Sequence, residues 1–179
     1  MTKILGLDVS SVSTGYCIIN NGKLYKNTLG TINPNSKDNY GKRLSHFAEE
    51  LTKLLQKYKP DKVVMEDIFR GPNIKTFKTL AMFRGVCFFI VFREIGKDPI
   101  SIMPTEARKL VGVEGITKED GFNFVKNKYL FSEYKYEKQN DITDAIVLGL
   151  AGYEIEKQGI DENSLGRKKK KRKKRKKKK

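Results

Sequence analysis

The sequence predicts an α/β protein in which a mixed five-stranded sheet is flanked by helices. Two observations indicate this fold class. Three strand patterns follow one another closely at the start of the chain, and later strand patterns alternate with longer segments of helical periodicity. With 179 residues, of which 38% are hydrophobic, the chain is long enough for one domain with a substantial core.

The first three strands are predicted at residues 3–9, 14–20 and 23–32. Turn signals separate them at 10–11, where two serines occur, and at 20–22, where the sequence is Asn-Asn-Gly. Because connections this short join antiparallel neighbours, we expect the three strands to form a meander.

An amphipathic helix and a fourth strand are predicted next. Apolar residues recur at three- and four-residue intervals over 40–58, and a Lys-Pro pair at 59–60 ends the pattern. The apolar run at 61–66 follows as a strand. A broadly apolar segment at 77–95 then predicts a helix buried against the sheet, with a second subunit as a further candidate partner.

The last third of the chain contains one more strand and three helix starts. The strand is predicted at 99–103, and helices are predicted to open at Pro104 and, with Thr117 as N-cap, at Lys118. The final helix is predicted to begin at residue 140 or 141 and to end near Lys157.

The formal net charge of +16 is concentrated at the C-terminus, because every residue from 167 to 179 is lysine or arginine. Like charges repel, and this segment has no apolar residue to bury, so we expect a disordered polybasic tail. The predicted organisation is a folded domain at 1–157, a linker at 158–166 and the tail at 167–179.

Composition excludes several classes of protein. One histidine and two cysteines do not supply a zinc-ligand set, and Cys17 and Cys87 lie in apolar runs typical of buried free thiols. The longest apolar run, 85–92, is far shorter than a bilayer span, and no signal peptide is visible. We therefore expect an intracellular protein without a membrane partner, either cytoplasmic in a bacterial or phage-infected host, or nuclear or in a viral factory in a eukaryotic one.

Four carboxylates are the candidate chemical groups. Asp8 ends the stretch KILGLD and Glu66 ends KVVME, while Asp141 and Asp144 lie three residues apart on one face of the last predicted helix. A fold that gathered them would concentrate negative charge, which hard divalent cations with oxygen ligands, magnesium above all, would neutralise. Taken singly, each acid is also typical of a helix cap or a solvated strand end.

Several segments carry a family resemblance: ILGLDVSSVSTGYCII, VVMEDIF, ARKLVGVEGITKE and NDITDAIVLGLA. Together with the order of elements, they resemble the RuvC-type Holliday-junction resolvases, a branch of the ribonuclease H-like superfamily, over nearly all of residues 3–155. The first segment alone also looks like the phosphate-binding opening of actin-like kinases. Those proteins need two such domains, and this chain has room for one.

The resemblance implies a ribonuclease H-like fold and a site in which Asp8, Glu66, Asp141 and Asp144 hold two Mg²⁺ ions, with Mn²⁺ as a substitute. Two ions roughly 3.5–4 Å apart can hold both the attacking and the leaving oxygen of a phosphodiester. The implied protein is a homodimeric endodeoxyribonuclease of DNA recombination and repair that resolves four-way (Holliday) or branched junctions by paired nicks. The segment 77–95 is the predicted isologous interface.

The same resemblance assigns residues to DNA contacts. Phe69 matches an aromatic residue that inserts into the unstacked centre of the junction, although packing in the core beneath a loop is an alternative. Arg70, Lys75 and Lys78 follow it in a segment that contains glycine and proline and suits a surface that follows phosphates. Ordinary solvated side chains are the other interpretation of these basic residues.

Further basic residues are candidates for phosphate contact or catalysis. Lys118 matches a family lysine, and a basic group beside the scissile phosphate would stabilise the charge that develops in the transition state. Either Arg108 or Lys109 takes the place of another family lysine, but both are also typical of helix-surface charge. The tail, which begins Arg167, Lys168, Lys169, would bind backbone without reading sequence; a nuclear-localisation signal or an inert appendage are alternatives.

Neighbouring polar residues are predicted to have other roles. By strand alternation, Asp67 points to the opposite face from the acid that precedes it. Glu106, Glu119 and Asp120 suit the first turns of helices, and His46 suits a partly exposed surface.

Two other functions fit the same residues. A nuclease that acts on RNA, RNA–DNA hybrids or flaps would keep the fold and the metal site. A DNA-binding architectural protein would bind through the tail and have inactive carboxylates.

Overall fold

The computed structural model describes residues 1–68 and 73–165. Its strands are β1 (Lys3–Asp8), β2 (Thr14–Asn20), β3 (Lys23–Leu24), β4 (Gly30–Ile32), β5 (Lys62–Glu66) and β6 (Ile100–Ile102). Its α-helices are α1 (Tyr40–Tyr58), α2 (Ile74–Ile95), α3 (Pro104–Leu110), α4 (Lys118–Tyr129) and α5 (Tyr136–Lys157).

The strands form one mixed sheet in the order β3-β2-β1-β5-β6, with β4 also paired to β2. The β1–β2 pair is antiparallel, whereas β5 runs parallel to both β1 and β6. The predicted fold class and the initial meander are therefore confirmed, with six strands in place of five. The extra strand arises because a 3-10 turn, Lys26–Thr28, divides the predicted strand 23–32, and the Thr28 hydroxyl donates to the Tyr25 carbonyl at 2.7 Å.

Two helical layers cover the sheet. On one face, α1 and α2 bury a core that contains Phe47, Phe83 and Leu7. On the other face, α5 packs with α3 and α4 over a core that contains Ile4 and Val64. Strand alternation thus sends residues of β1 and β5 to two separate cores, and this decides which face each acid occupies.

Two helix starts differ from the prediction. α2 begins at Ile74 because the side chain of Asn73 caps it, accepting from the Thr76 amide at 3.1 Å. α5 begins at Tyr136, where the ring meets Phe122 edge-on at 5.5 Å between centroids. The Lys135 amide also donates to Gln139 Oε1 at 2.8 Å, so side-chain contacts that hydrophobic periodicity does not record accompany the earlier start of α5.

The segment after α5, predicted as a linker, returns to the body. Ile160 and Leu165 pack against the core beneath α5, and the Glu162 carboxylate lies 2.8 Å from the Lys62 ammonium at the start of β5. The predicted tail lies outside the described residues. Within the described ranges, no helix is both long and apolar enough to cross a bilayer, and the two cysteines are buried and free, as predicted.

Candidate active site

Asp8 and Glu66 lie side by side at one edge of the sheet. They end β1 and β5, and the residues before them, Leu7 and Met65, are direct partners in the parallel ladder. Alternation directs both acids to the α5 face, since residues of the same parity belong to the core beneath α5. The Asp8 side chain leaves the strand into this region and is only 7% exposed.

Two glycines bring α5 into contact with this edge. Gly15 pairs with Asp8 across the β1–β2 ladder, and a Cβ at this position would lie 2.0 Å from the carbonyl oxygen of Asp141. A Cβ at Gly6 would lie 2.2 Å from the carbonyl oxygen of Ala145. The backbone of α5 therefore rests directly on the strands, and this places Asp141 and the acid one turn later beside the strand-end acids.

The acids border a cleft of about 240 Å³. Four of the predicted site residues line it: Asp8, Glu66, Asp141 and Lys118. The fifth, Asp144, is buried, and its Oδ2 lies 2.8 Å from the Lys118 ammonium. The rest of the lining comes from the loop after β1, the segment after β5 and the first turns of α2: Val9, Ser10, Ser11, Ile68, Thr76 and Leu80.

Lys118 is placed by the start of α4. Thr117 is the N-cap, as predicted, and its hydroxyl accepts from the Asp120 amide at 3.1 Å while the Asp120 carboxylate accepts from the Thr117 amide at 2.8 Å. This reciprocal capping box fixes the direction in which the helix starts. The Asp120 carboxylate takes part in this capping box, which confirms the capping role predicted for that acid.

The electrostatics of the cleft follow from crowding of acids in a buried place. Burial raises the pKa of Asp8 to about 8, because loss of water and the neighbouring carboxylates outweigh the opposing effect of Lys118. Burial also raises the pKa of Glu66. Although its own partial burial acts to lower the pKa of Lys118, the carboxylates of Asp8 and Asp144 raise it on balance, so this ammonium stays charged.

The donor set fits a hard divalent cation. All four predicted ligands are carboxylates, and the Lys118 ammonium already sits against Asp144, so the cleft accepts positive charge. Within residues 1–68 and 73–165, no three Asp, Glu, His or Cys side chains converge as a ready-made metal group.

Arg108 is buried, which contradicts its interpretation as helix-surface charge, while its predicted role as a DNA contact stays a prediction. Its side chain is 4% exposed, its Nη1 donates to the Ile116 carbonyl at 2.7 Å, and its Nη2 lies 3.6 Å from Asp144 Oδ1. Arg108 thus links the buried acid to the loop that leads into α4. Helix α3 has only seven residues, so periodicity could not reveal its buried face. Lys109, next along α3, is exposed.

The other predicted DNA contacts divide into two groups. Lys75 and Lys78 are exposed at the start of α2, beside Thr76 of the cleft wall. Outside the described residues lie Phe69, Arg70, Arg167, Lys168 and Lys169.

The predictions for the neighbouring polar residues are confirmed. Asp67 faces away from the cleft toward α2, where its Oδ1 lies 3.3 Å from Arg84 Nη2. His46 is exposed on α1. Glu106 and Glu119 stand in the first turns of α3 and α4.

Sequence reasoning missed two arginines that support the cleft from the α1–α2 side. Arg43 donates through Nη2 to the Ser11 carbonyl, in the loop that follows Asp8. Arg84 donates through Nη1 to the carbonyl of Glu66. Both arginines act on backbone, and such contacts leave no pattern in a single sequence.

Comparison with known proteins agrees with this arrangement. Residues 4–151 match the family of crossover junction endodeoxyribonuclease RuvC. RuvC of Campylobacter jejuni is 36% identical over 153 residues, which is 83% of this chain and 93% of that protein, and RuvC of Dictyoglomus thermophilum is 29% identical over 87% and 98%. The solved structure of Thermus thermophilus RuvC in complex with a Holliday junction substrate superposes with a TM-score of 0.74 at 13% identity, covering 89% of this chain and 97% of that one.

Proposed function

Because the chain belongs to the RuvC family of crossover junction endodeoxyribonucleases, we propose that it cuts four-way DNA junctions by hydrolysis of phosphodiester bonds. The observation that carries this proposal is the shared cleft of Asp8, Glu66, Asp141 and Lys118, with Asp144 directly behind it. These groups come from two strands and two helices that are distant in sequence. A fold that gathers them only for packing would leave costly buried charge without use.

The family implies dependence on a divalent metal, and we propose two Mg²⁺ ions per site, with Mn²⁺ as a substitute. The residues that would hold them are Asp8, Glu66, Asp141 and Asp144. When bound, such ions would activate a water and stabilise the charge of the phosphate undergoing attack. The chain's own part is to fix four carboxylates on rigid elements and to keep Asp8 away from bulk water.

Lys118 would act as the cationic side chain of the reaction. Its ammonium stays charged beside Asp144 and borders the cleft. From there it would donate hydrogen bonds to a phosphate oxygen as negative charge grows in the transition state. Arg108 would hold Asp144 and the loop before α4 in place, since its buried guanidinium lies 3.6 Å from Asp144 Oδ1 and donates to the Ile116 carbonyl.

Contacts with the arms of the junction would come from exposed cations near the cleft. Lys75 and Lys78 lie at the start of α2, at the cleft wall, and Lys109 lies exposed on α3. Phe69 and Arg70 precede α2 in sequence, and we propose the unstacking role for Phe69 that the family resemblance implies. Such contacts would position the substrate and leave the chemistry to the acids.

We further propose that the active form is a homodimer, because paired nicks require two sites. The outer face of α2 exposes Met82, Phe89 and Phe92. Among the described residues, apart from its chain neighbours and the backbone of α2, no atom lies within 4 Å of a Cβ placed at Gly85, which lies between them. The spacing of three, four and three residues along these positions is that of a helix–helix seam. Two copies of α2 could therefore meet across a two-fold axis.

Phe89→Asp is expected to convert the dimer to a monomer, because a carboxylate would be buried at the centre of the seam. Leu130→Asp is the matched control, since Leu130 is 81% exposed against 64% for Phe89 but lies at the end of α4. Sedimentation should show a loss of dimer for the first variant alone. Dimers that persist in Phe89→Asp would contradict the proposed interface.

Deletion of residues 167–179 is expected to weaken junction binding and to flatten its dependence on salt. For each phosphate that the shortened chain no longer neutralises, the slope of log affinity against log salt should fall in magnitude by roughly 0.9. Ending the chain after Gly166 keeps Leu165, which packs against the core. A tail of equal length in which every Lys and Arg is replaced by Gln controls for chain length, and a slope equal to that of wild type in both variants would exclude the tail from DNA binding.

Labelled four-way junctions, duplexes and RNA–DNA hybrids, each with Mg²⁺ or with chelator, test the proposed activity. Symmetric cuts confined to junctions and abolished by chelator are expected. Preferential cutting of hybrids would favour a ribonuclease. Binding without cleavage under every condition would favour an architectural role.

A further inference from the structure

Arg84 is a buried cation inside α2 that contacts three other parts of the chain. It is 7% exposed. Its Nη1 donates to the carbonyl of Glu66 at the end of β5, and its Nη2 donates to Asp67 Oδ1 at 3.3 Å and to Ser101 Oγ on β6 at 3.0 Å. One guanidinium therefore ties α2 to the end of β5 and to the middle of β6.

Packing alone does not explain an arginine at this position. Burial of a guanidinium costs free energy that only well-placed partners offset, and an apolar residue of similar volume often stabilises a core as well or better. The partners here share one location, because Glu66 ends β5, Asp67 follows it, and Ser101 on β6 pairs with Met65, the residue before Glu66. A planar fork with several donors matches such a set, whereas an ammonium on a flexible stem does not.

Arg84 reaches the cleft only through the backbone. The Glu66 side chain faces α5 and the cleft, whereas Arg84 approaches from α2 on the opposite face of the sheet. Its contact with the Glu66 carbonyl therefore fixes the strand end without touching the carboxylate. The chain continues from here through Asp67 and Ile68 into the segment that carries Phe69.

We propose that Arg84 is a positioning residue for the metal site, which holds the end of β5 so that the Glu66 carboxylate faces the other acids. The proposal rests on the proposed nuclease function and deepens it. We call the contacts of Arg84 with Glu66, Asp67 and Ser101 the clamp. Loss of the clamp frees the end of β5, and the acids then bind a divalent cation more weakly. Loss of a supporting group behind a metal ligand typically lowers metal affinity by about 10–100-fold.

Arg84→Gln tests the proposal through its response to metal. The Mg²⁺ concentration for half-maximal junction cleavage is expected to rise about tenfold or more, and cleavage is expected to recover at high Mg²⁺. In melting experiments without DNA, Mg²⁺ should raise the melting temperature of Arg84→Gln by less than it raises that of wild type. Junction binding by Arg84→Gln in chelator should stay near the wild-type level. Arg84→Lys should fall between Arg84→Gln and wild type, because it keeps the charge but loses the fork.

Two further variants keep the test decisive if Arg84→Gln does not fold. Ser101→Ala removes one partner of the guanidinium without loss of charge, and a smaller shift in the Mg²⁺ requirement is expected. Arg93→Gln is the matched control, since Arg93 lies on the same helix but contacts Glu94 and Thr52 at the far end. It should leave the Mg²⁺ requirement unchanged.

The outcomes separate this inference from the proposed function. An unaltered Mg²⁺ requirement in both Arg84→Gln and Ser101→Ala would overturn the positioning role. So would variants that lose junction binding or stability but respond to Mg²⁺ as wild type does. Absence of junction cleavage by the wild-type protein would instead overturn the proposed function. The melting measurement with Mg²⁺ would still test the clamp in that case.

Discussion

Asp8→Asn is expected to abolish metal-dependent cleavage while junction binding persists. Asp8 lines the cleft and is only 7% exposed, so we expect junction binding to depend on other residues. Metal ions contribute several kcal/mol to stabilising the charge of a transition state, so loss of a carboxylate that holds them should lower the rate by about a thousandfold or more. Cleavage of labelled junctions, compared with their binding in chelator, measures both effects.

The same substitution should stabilise the protein in chelator. The pKa of Asp8 is about 8 in the folded protein, against an ordinary value of 3.8. Between these pH values the folded protein binds more protons than the unfolded chain, so its free energy of unfolding falls as pH rises from about 4 to about 8. Because asparagine has no proton to lose in this range, the free energy of unfolding of Asp8→Asn should not show this decrease.

A tenfold change in proton affinity corresponds to about 1.4 kcal/mol, and relaxation around a buried acid discounts the full shift, so we expect a gain of about 2 kcal/mol for Asp8→Asn at pH 8 in chelator. Mg²⁺ should stabilise wild type more than Asp8→Asn and so make wild type the more stable of the two. The apparent affinity of wild type for Mg²⁺ should rise with pH up to about 8, because Asp8 loses its proton over this range. Equal stabilisation of both proteins by Mg²⁺, or full cleavage by Asp8→Asn, would remove Asp8 from the metal site.

Gly15→Ala is expected to disrupt both the fold and the cleft. The added Cβ would lie 2.0 Å from the carbonyl oxygen of Asp141 and 2.9 Å from the amide nitrogen of Ile142. Backbone atoms cannot yield as a flexible side chain does, so α5 must move away from β2. Overpacking of this kind typically costs about 1–3 kcal/mol, and movement of α5 would separate Asp141 from Asp8.

Two other glycines give this prediction a graded series. At Gly149 a Cβ would first meet side chains, Ile19 Cγ1 at 2.8 Å and Cys17 Sγ at 3.1 Å, which can shift. At Gly41, near the start of α1, the nearest atom is 3.4 Å away, on the Asn39 side chain. We expect urea denaturation to rank stability as Gly41→Ala above Gly149→Ala above Gly15→Ala, with cleavage lost most severely in the last. Wild-type stability and activity in Gly15→Ala would contradict direct contact between the backbone of α5 and β2.

Strong local patterns predicted much of the fold. The bounds of α1 match the predicted 40–58, because apolar spacing and the Lys-Pro ending act within the helix itself. The capping box at Thr117 is equally local. The predictions of a single strand at 23–32 and of a helix start at residue 140 or 141 were wrong. A hydroxyl hydrogen bond lies within the turn that divides the strand, and a ring contact with Phe122 accompanies the earlier start of α5, and neither contact appears in the apolar spacing.

In the candidate site, the features that were predicted depend on local rules and those that were missed depend on contacts between distant segments. Strand alternation correctly sent Asp67 to the opposite face from Glu66, since that rule needs only the strand itself. Burial of Arg108 and the clamp by Arg84 depend on elements far apart in sequence, and a single chain carries no signal of them. Without the family resemblance, the sequence would not have predicted that the four acids lie close together in one site.

The described part of the C-terminal segment contacts the start of β5, the end of that strand which lies away from the cleft. Glu162 is bound to Lys62 at the start of β5, whereas Glu66 ends that strand. At about 3.3 Å per residue, the strand separates these points by about 13 Å, the length of roughly four base pairs of B-form DNA. The described chain thus reaches Glu162 at the end of β5 that lies away from the acids, so the segment before the proposed DNA-binding tail is anchored apart from the groups proposed to cut the bond.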